Sequence, residues 1–299
     1  MSKRTFLQTI SAGVFLLCTV AQVTAIEVVK NPSTVIINAG GKPIVEYRFS
    51  DVPFKPYISQ LYTPGGVAML RDSPFDHKHH HSLMFAIGAD GVDFWAELPK
   101  CGKQVSKKLE TGDGSITHQL EWTATNGTPA LIEERTIRIH RADGLNATLL
   151  TWQSKLQTPK DRGEIKLTGS HYFGLGMRFV TSMDKIGTFT NASGHTGDVV
   201  RGDERLALSK WCAYSAPAEG KMVTVAMFDH PANLRHPARM FTMLNPFSYL
   251  SATLNLWKEP FILKAGQSLE LRYGVAAWDG KADSAEIEKA YQKWLTFNK

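Results

Sequence analysis

Short runs in which polar and apolar residues alternate recur along most of the chain: "STVIINAG", "KPIVEYRFS", "LIEERTIRIHR", "NATLLTWQSKLQ", "EIKLTGSHYFGLGMRFV", "KMVTVAMFDH", "FSYLSATLNLW" and "SLELRYGVAAW". A period of two sends alternate side chains to opposite faces of an extended strand, so each run predicts a strand with one buried face. Between the runs stand Gly40-Gly41, Asp113-Gly114, Asn126-Gly127 and Asp143-Gly144, dipeptides of tight hairpin turns, which makes neighbouring strands antiparallel. A helix is predicted only at the C-terminus. There Asp283 and Glu286 have the spacing of a capping box, and Ile287, Tyr291 and Trp294 or Leu295 follow at helical intervals. So many antiparallel strands hide their apolar faces by stacking in two layers or closing into a barrel. The expected fold is all-β, a large antiparallel β-sandwich with one C-terminal α-helix. No Gly/Ser linker, repeat or low-complexity tract interrupts residues 26–299, which are read as a single domain.

Residues 1–25 do not share that pattern. Lys3 and Arg4 precede an apolar stretch at residues 10–20, and Val23-Thr24-Ala25 offers small residues for cleavage, so the start is read as a secretory signal peptide cut after Ala25. Residues 2–8 also resemble a Lys-Arg form of the twin-arginine signal, whereas a lipid anchor at Cys18 is disfavoured by Leu17, where a small residue is needed. The expected location is periplasmic or secreted. No later stretch approaches the roughly 20 apolar residues of a membrane-crossing helix, so no membrane span is predicted. The formal charge of +6 falls by two, to +4, when Lys3 and Arg4 leave with the leader. The remaining Lys and Arg are scattered, which argues against nucleic acid as a partner. Cys101 and Cys212 stay behind, either bridged or as core thiols.

Four of the ten histidines, His77, His79, His80 and His81, lie within five positions ahead of the apolar run "SLMFAIG". Neutral imidazole has one donor and one lone pair, titrates near neutrality and binds metals. In an extended segment His77 with His79, or His79 with His81, would face one side. A divalent metal would then need a third ligand from Asp76, His171, His195, His230 or His236, and the Glu that follows paired histidines in cupin barrels is missing. General acid/base work on a polar substrate is the second use, and an exposed loop without chemistry the third.

Other stretches gather polar and aromatic groups. Asp93 and Trp95 share a face if "GVDFWAE" is extended, and an indole suits the C–H face of a sugar ring, although Trp95, like Trp211, Tyr214 and Trp257, also suits a core. In "GSHYFGLGMRF", alternation would put His171, Phe173 and Leu175 on one face, with Gly174 and Gly176 allowing close approach. "FDHPANLRHPARMF" carries His230, Asn233, Arg235 and His236 on a proline-stiffened loop, as a site or as a structural Asp/His turn. No nucleophile elbow, Walker loop, dinucleotide glycine fingerprint or zincin helix is present. Asp76, Asp93, Glu97, Glu164 and Glu259 are candidate carboxylates that sequence does not pair.

These segments, with "LNLWKEPFILKAGQSLELRYGVAAW", resemble the bacterial PmoA family over nearly the whole mature chain. The family pattern matches at Asp76, His77, His79, His80, Asp93 and Trp95, and His81 stands where many members have Arg or Lys. Methane oxidation is not implied, because the methane oxygenase subunit of that name spans membranes and this chain has no such segment. "SHYFGL" and "FILKAGQSLELRYGV" are also similar to strands of galactose mutarotase-like supersandwiches, with Gly174 in place of an Asn. That resemblance implies a general-acid role for His171 and a base from a late Glu, of which Glu259 is the nearest.

The expected function is an exported carbohydrate-active enzyme, an epimerase, lyase or hydrolase acting on a sugar or sugar derivative. Its catalytic residues would be His77, His79, His80 and His171, and its substrate-binding residues Asp76, Asp93, Trp95, Asn233, His236 and Trp257. No cofactor is predicted. The alternatives are a non-catalytic carbohydrate-binding protein and a metal enzyme with His77, His79 and His171 as ligands.

Overall fold

The computed structural model describes residues 25–141 and 143–298. The signal-peptide reading, with its twin-arginine and Cys18 alternatives, lies outside the described residues apart from Ala25. No helix among the described residues is long and apolar enough to cross a membrane.

Two antiparallel sheets form the sandwich. One has ten strands, with Leu83–Ala86, Gly174–Arg178, Tyr249–Thr253, Arg239–Met243 and Arg205–Leu208 adjacent in that order. The other has eight, centred on Lys221–Asp229, Ser268–Asp279, Thr148–Gln157 and Pro129–Ile139. The alternation seen in the sequence becomes two-sidedness: Phe85, Leu175 and Met177 of the first sheet and Trp122, Leu131, Trp152 and Leu271 of the second meet in one core. The all-β sandwich with a C-terminal helix is therefore the fold observed.

Helix Ser284–Thr296 covers the opposite face of the eight-stranded sheet, packing Ile287, Tyr291 and Trp294 against Trp211, Phe228 and Trp278. Its start is the expected capping box. Asp283 Oδ1 accepts from the Ala285 and Glu286 amides at 2.9 Å, and Glu286 Oε2 accepts from the Asp283 amide at 3.0 Å. Cys101 and Cys212 are both buried free thiols. Trp211 donates to Glu288 beneath the helix, and Tyr214 stacks on Phe189, so both belong to packing.

One predicted run is broken. Strand Glu164–Thr168 belongs to a separate four-stranded sheet, and the chain turns, with the Phe173 amide on the Ser170 carbonyl, before entering Gly174–Arg178. The turn takes His171 out of the alternation, so it does not share a face with Leu175, which faces the core. Gly176 lies on the other face, where a Cβ would stand 1.9 Å from the Tyr249 hydroxyl and 3.2 Å from the Trp95 ring. That clearance admits both aromatic rings to the floor of the site below.

Candidate functional site

Asp72 and His81 pair as an antiparallel bridge and close the loop of residues 73–80. Inside it the His77 amide donates to the Pro74 carbonyl at 3.0 Å and the His80 amide to the His77 carbonyl at 2.9 Å, giving two successive turns. The segment is thus not extended, yet His77 and His79 still come together, ring centroids 5.6 Å apart, while His81 turns away from His79. Turns also bring residues three apart together: His77 stacks on His80 with centroids 4.7 Å apart, and His79 meets His80 edge-on at 4.6 Å. His80 leans on Phe247 and Tyr249, and the Arg178 guanidinium packs on the Phe247 ring.

His81 is held apart from the other three. Its Nδ1 is 2.7 Å from Asp72 Oδ1, its Nε2 is 2.9 Å from Glu97 Oε1, and its ring stacks on Tyr57. Buried Lys55 donates to Glu97 at 2.5 Å and to the Trp95 carbonyl at 3.0 Å, which ties this ladder to the floor of the site. Burial opposes a charge on His81, but the hydrogen bonds to Asp72 and Glu97 overcome it and raise its pKa.

The neighbouring imidazoles behave oppositely. Burial, then the Lys55 charge, lowers His79 to about 4, and burial, then His79, holds His80 well below 6.5. Burial likewise lowers His118 to about 3 and His140 to about 4. These groups stay neutral when folded while their unfolded counterparts take protons, so stability is full above pH 6.5 and drains as pH falls toward 4. His81 contributes in reverse, fully below pH 6.5 and less as pH rises through its raised pKa. Calorimetry is expected to show Tm falling steadily from pH 6.5 to about 4; a flat Tm there would contradict the neutral histidines.

A cavity of about 250 Å³ opens between this loop and the outer face of the ten-stranded sheet, lined by His77, His79, His80, Tyr172, Arg201, Glu204, Phe241, Met243, Phe247 and Tyr249. Three larger clefts among the described residues, of about 290, 410 and 380 Å³, hold at most one histidine each, so chemistry and not size marks this one. His171 stands at its edge, with Nε2 3.7 Å from Glu204 Oε2. That is longer than a hydrogen bond, so both atoms keep free capacity. Ser170 Oγ is 3.3 Å from His171 Nδ1, an arrangement that suits a hydroxyl donating to Nδ1 with the ring proton on Nε2. Burial lowers the pKa of His171 against the opposing pull of Glu204. Arg201 donates to the other oxygen, Glu204 Oε1, at 2.5 and 3.1 Å.

Polar atoms at and beneath the cavity are short of partners. His80 Nδ1, Trp95 Nε1, His171 Nε2, Glu204 Oε2 and the Tyr249 hydroxyl are all buried without a hydrogen-bond partner. Buried polar groups are normally satisfied, and five exceptions around one cavity fit a polar ligand.

The predicted residues divide. His77, His79 and His80 line the cavity and His171 borders it. Asp76 holds His77 Nδ1 at 3.1 Å, Trp95 is buried under the floor against Phe173, Tyr172 and Tyr249, and Trp257, 42% exposed, lies edge-on to His171. Asp93 caps a turn by accepting from the Trp95 and Ala96 amides and does not line the cavity. Asn233 and His236 fall elsewhere: both bond to buried Asp229, the structural turn that was the alternative for this loop. Among the described residues no group of three or more His, Cys, Asp or Glu is arranged to hold a metal, so His77, His79 and His171 do not form a ligand set. Sequence reasoning missed Glu204, which no motif marks. Glu259 binds Asn255 and Arg235 instead of facing His171.

Fold and cavity define a β-sandwich protein whose larger sheet carries a polar site on its outer face. The chain belongs to the family of unknown function DUF6807, whose model matches residues 34–292. The PmoA family expected from the sequence is not supported, since the family model that matches is that of DUF6807. Among curated proteins none matches the chain in sequence. Among solved structures it is similar to the α-galactosidase from Lactobacillus brevis, at 5% identity and a TM-score of 0.51, over 91% of this chain and 42% of that one. It is also similar to the galactose mutarotase related enzyme from Lactobacillus acidophilus, at 9% identity and a TM-score of 0.49, over 86% of this chain and 100% of that one. At such identities the α-galactosidase likeness speaks to the fold alone.

Proposed function

We propose that the chain is an exported carbohydrate-active enzyme that binds one ring of a sugar or sugar derivative in the histidine cavity. What carries the reading is the meeting of neutral imidazoles and a buried carboxylate, distant in sequence, around unpartnered polar atoms. A volume of about 250 Å³ suits a single small ring, and Phe241, Tyr172 and Tyr249 offer apolar surface beside the hydrogen-bonding groups. His171 and Glu204 are the proton-transfer pair, and neutral His79 and His80 hydrogen-bond hydroxyls. An acid/base pair of this kind serves epimerisation, elimination or hydrolysis alike. Export belongs to the same proposal and rests on Lys3, Arg4 and the apolar stretch after them; a mature N-terminus at Ile26 in secreted material checks it.

The test is a panel of neutral, keto and acidic sugars and their glycosides, scored for affinity and for product. Saturable binding with product is expected for at least one class. Affinity without product would leave a binding protein on the same scaffold, and absence of both would remove the carbohydrate reading.

A further inference from the structure

We propose that the site continues along the sheet into an oxyanion subsite built by Arg235, Arg239, Thr253 and Asn255, and that its ligand is an acidic sugar. The inference rests on the carbohydrate reading above and extends it to a substrate class. A separate cavity of about 110 Å³ is lined by these four residues and Glu259. Thr253 is 2% exposed and Asn255 4%, and both Thr253 Oγ1 and Asn255 Oδ1 are buried without a hydrogen-bond partner. Arg235 donates through Nη1 to the Leu254 carbonyl and lies 3.5 Å from Glu259 Oε2. The Arg239 side chain has no such partner among the described residues. Arg235 and Asn255 also hold φ of 62° and 56°, left-handed backbone that collects at ligand sites.

Register places this cavity next to the first. Arg239 pairs with Thr253, Phe241 with Ser251 and Met243 with Tyr249, and alternate residues share a face. Phe241, Met243 and Tyr249 line the histidine cavity, so Arg239 and Thr253 lie on the same face one strand repeat away, about 7 Å. His171, at the edge of the histidine cavity, has its ring 5.5 Å from Phe241 and 6.1 Å from Trp257, two residues beyond Asn255 in the chain.

The chemistry selects the ligand. Two guanidinium groups against one carboxylate, Glu259, leave one positive charge, and a guanidinium fork matches a carboxylate or sulfate. Asn255 Nδ2 is committed to Glu259 at 2.9 Å, so its free oxygen needs a donor, which a ligand hydroxyl supplies. The cavity has the volume of about four waters, enough for an oxyanion and too little for a second ring. A unit adjoining the bound ring meets all three conditions when it carries a carboxylate or sulfate for the guanidinium groups and a hydroxyl that donates to Asn255 Oδ1.

Isothermal titration with a uronate-containing disaccharide, a sulfated disaccharide, their neutral counterpart and inorganic sulfate tests this. At least one acidic disaccharide is expected to bind about tenfold or more tighter than the neutral one, the stronger of the two naming the anion. Arg239→Gln should abolish that preference, Arg239→Lys should keep part of it, and added salt should shrink it. Equal affinity for acidic and neutral forms, or a preference that survives Arg239→Gln, overturns the subsite. If no sugar binds, the carbohydrate reading falls, and inorganic sulfate decides the oxyanion site alone: saturable binding lost in Arg239→Gln supports it, and none overturns it.

Discussion

Turnover of whichever sugar the cavity accepts is expected to fall about 10²–10⁴-fold in Glu204→Gln and in His171→Ala, the range usual for a positioned acid or base. Gln keeps the shape of the buried Glu204 side chain and an oxygen for Arg201, so the fold should be little affected. The Arg201 partner is 78% exposed, and such pairs contribute about 0–1 kcal/mol. Because His171 Nε2 and Glu204 Oε2 face one another at 3.7 Å, the two should act as a unit. The double variant is then expected to be no slower than the worse single one. His79→Ala removes a hydrogen-bonding group and should weaken binding more than it slows the step. Steady-state kinetics on purified variants, with melting curves beside them, separates these outcomes. Undiminished turnover in both single variants would remove proton transfer by this pair.

Arg135→Ala is expected to destabilise the fold by about 3–5 kcal/mol, the cost of leaving a buried charge alone. Glu133 and Arg135 are two apart on strand Pro129–Ile139, both point into the core, and both side chains are fully buried. Their contact is forked: Arg135 Nε donates to Glu133 Oε1 at 2.9 Å and Nη2 to Oε2 at 2.8 Å. Each partner has further bonds. Arg135 donates to the Pro56 carbonyl, Gln104 and Tyr47, and Glu133 accepts from Trp122 and Ser154. A buried pair can often be exchanged for apolar residues at little cost, but here five polar groups would each lose a hydrogen-bond partner at once. Even Glu133→Leu with Arg135→Met should therefore be destabilising. Arg135→Lys keeps the charge and loses the fork, and should fall between Ala and the native residue. Denaturant unfolding measures all three; wild-type stability in Arg135→Ala would show that the cluster contributes nothing.

The network also shows where sequence patterning stops. In "LIEERTIRIHR" the inward set is Leu131, Glu133, Arg135 and Ile137, so charged residues occupy core positions that a hydrophobicity pattern leaves unmarked. Their partners come from Tyr47, Pro56, Gln104, Trp122 and Ser154, which only strand pairing brings within reach. Asn233 and His236 illustrate the converse. Their spacing suits a site, but the neighbouring Asp229 is buried and takes both as hydrogen-bond donors.

By itself the sequence determined the local and periodic features: strands with one buried face, tight turns, the capped C-terminal helix and a cluster of imidazoles ahead of a buried strand. Each follows from interactions between residues a few positions apart, which sequence order alone specifies. Tertiary structure decided which histidine is drawn toward charge and which away from it, that Glu204 and not Glu259 faces His171, and that two cavities share one sheet face. Those outcomes depend on the side chains that long-range pairing sets against each group, since an imidazole's protonation and partners follow its surroundings and not its position in the chain.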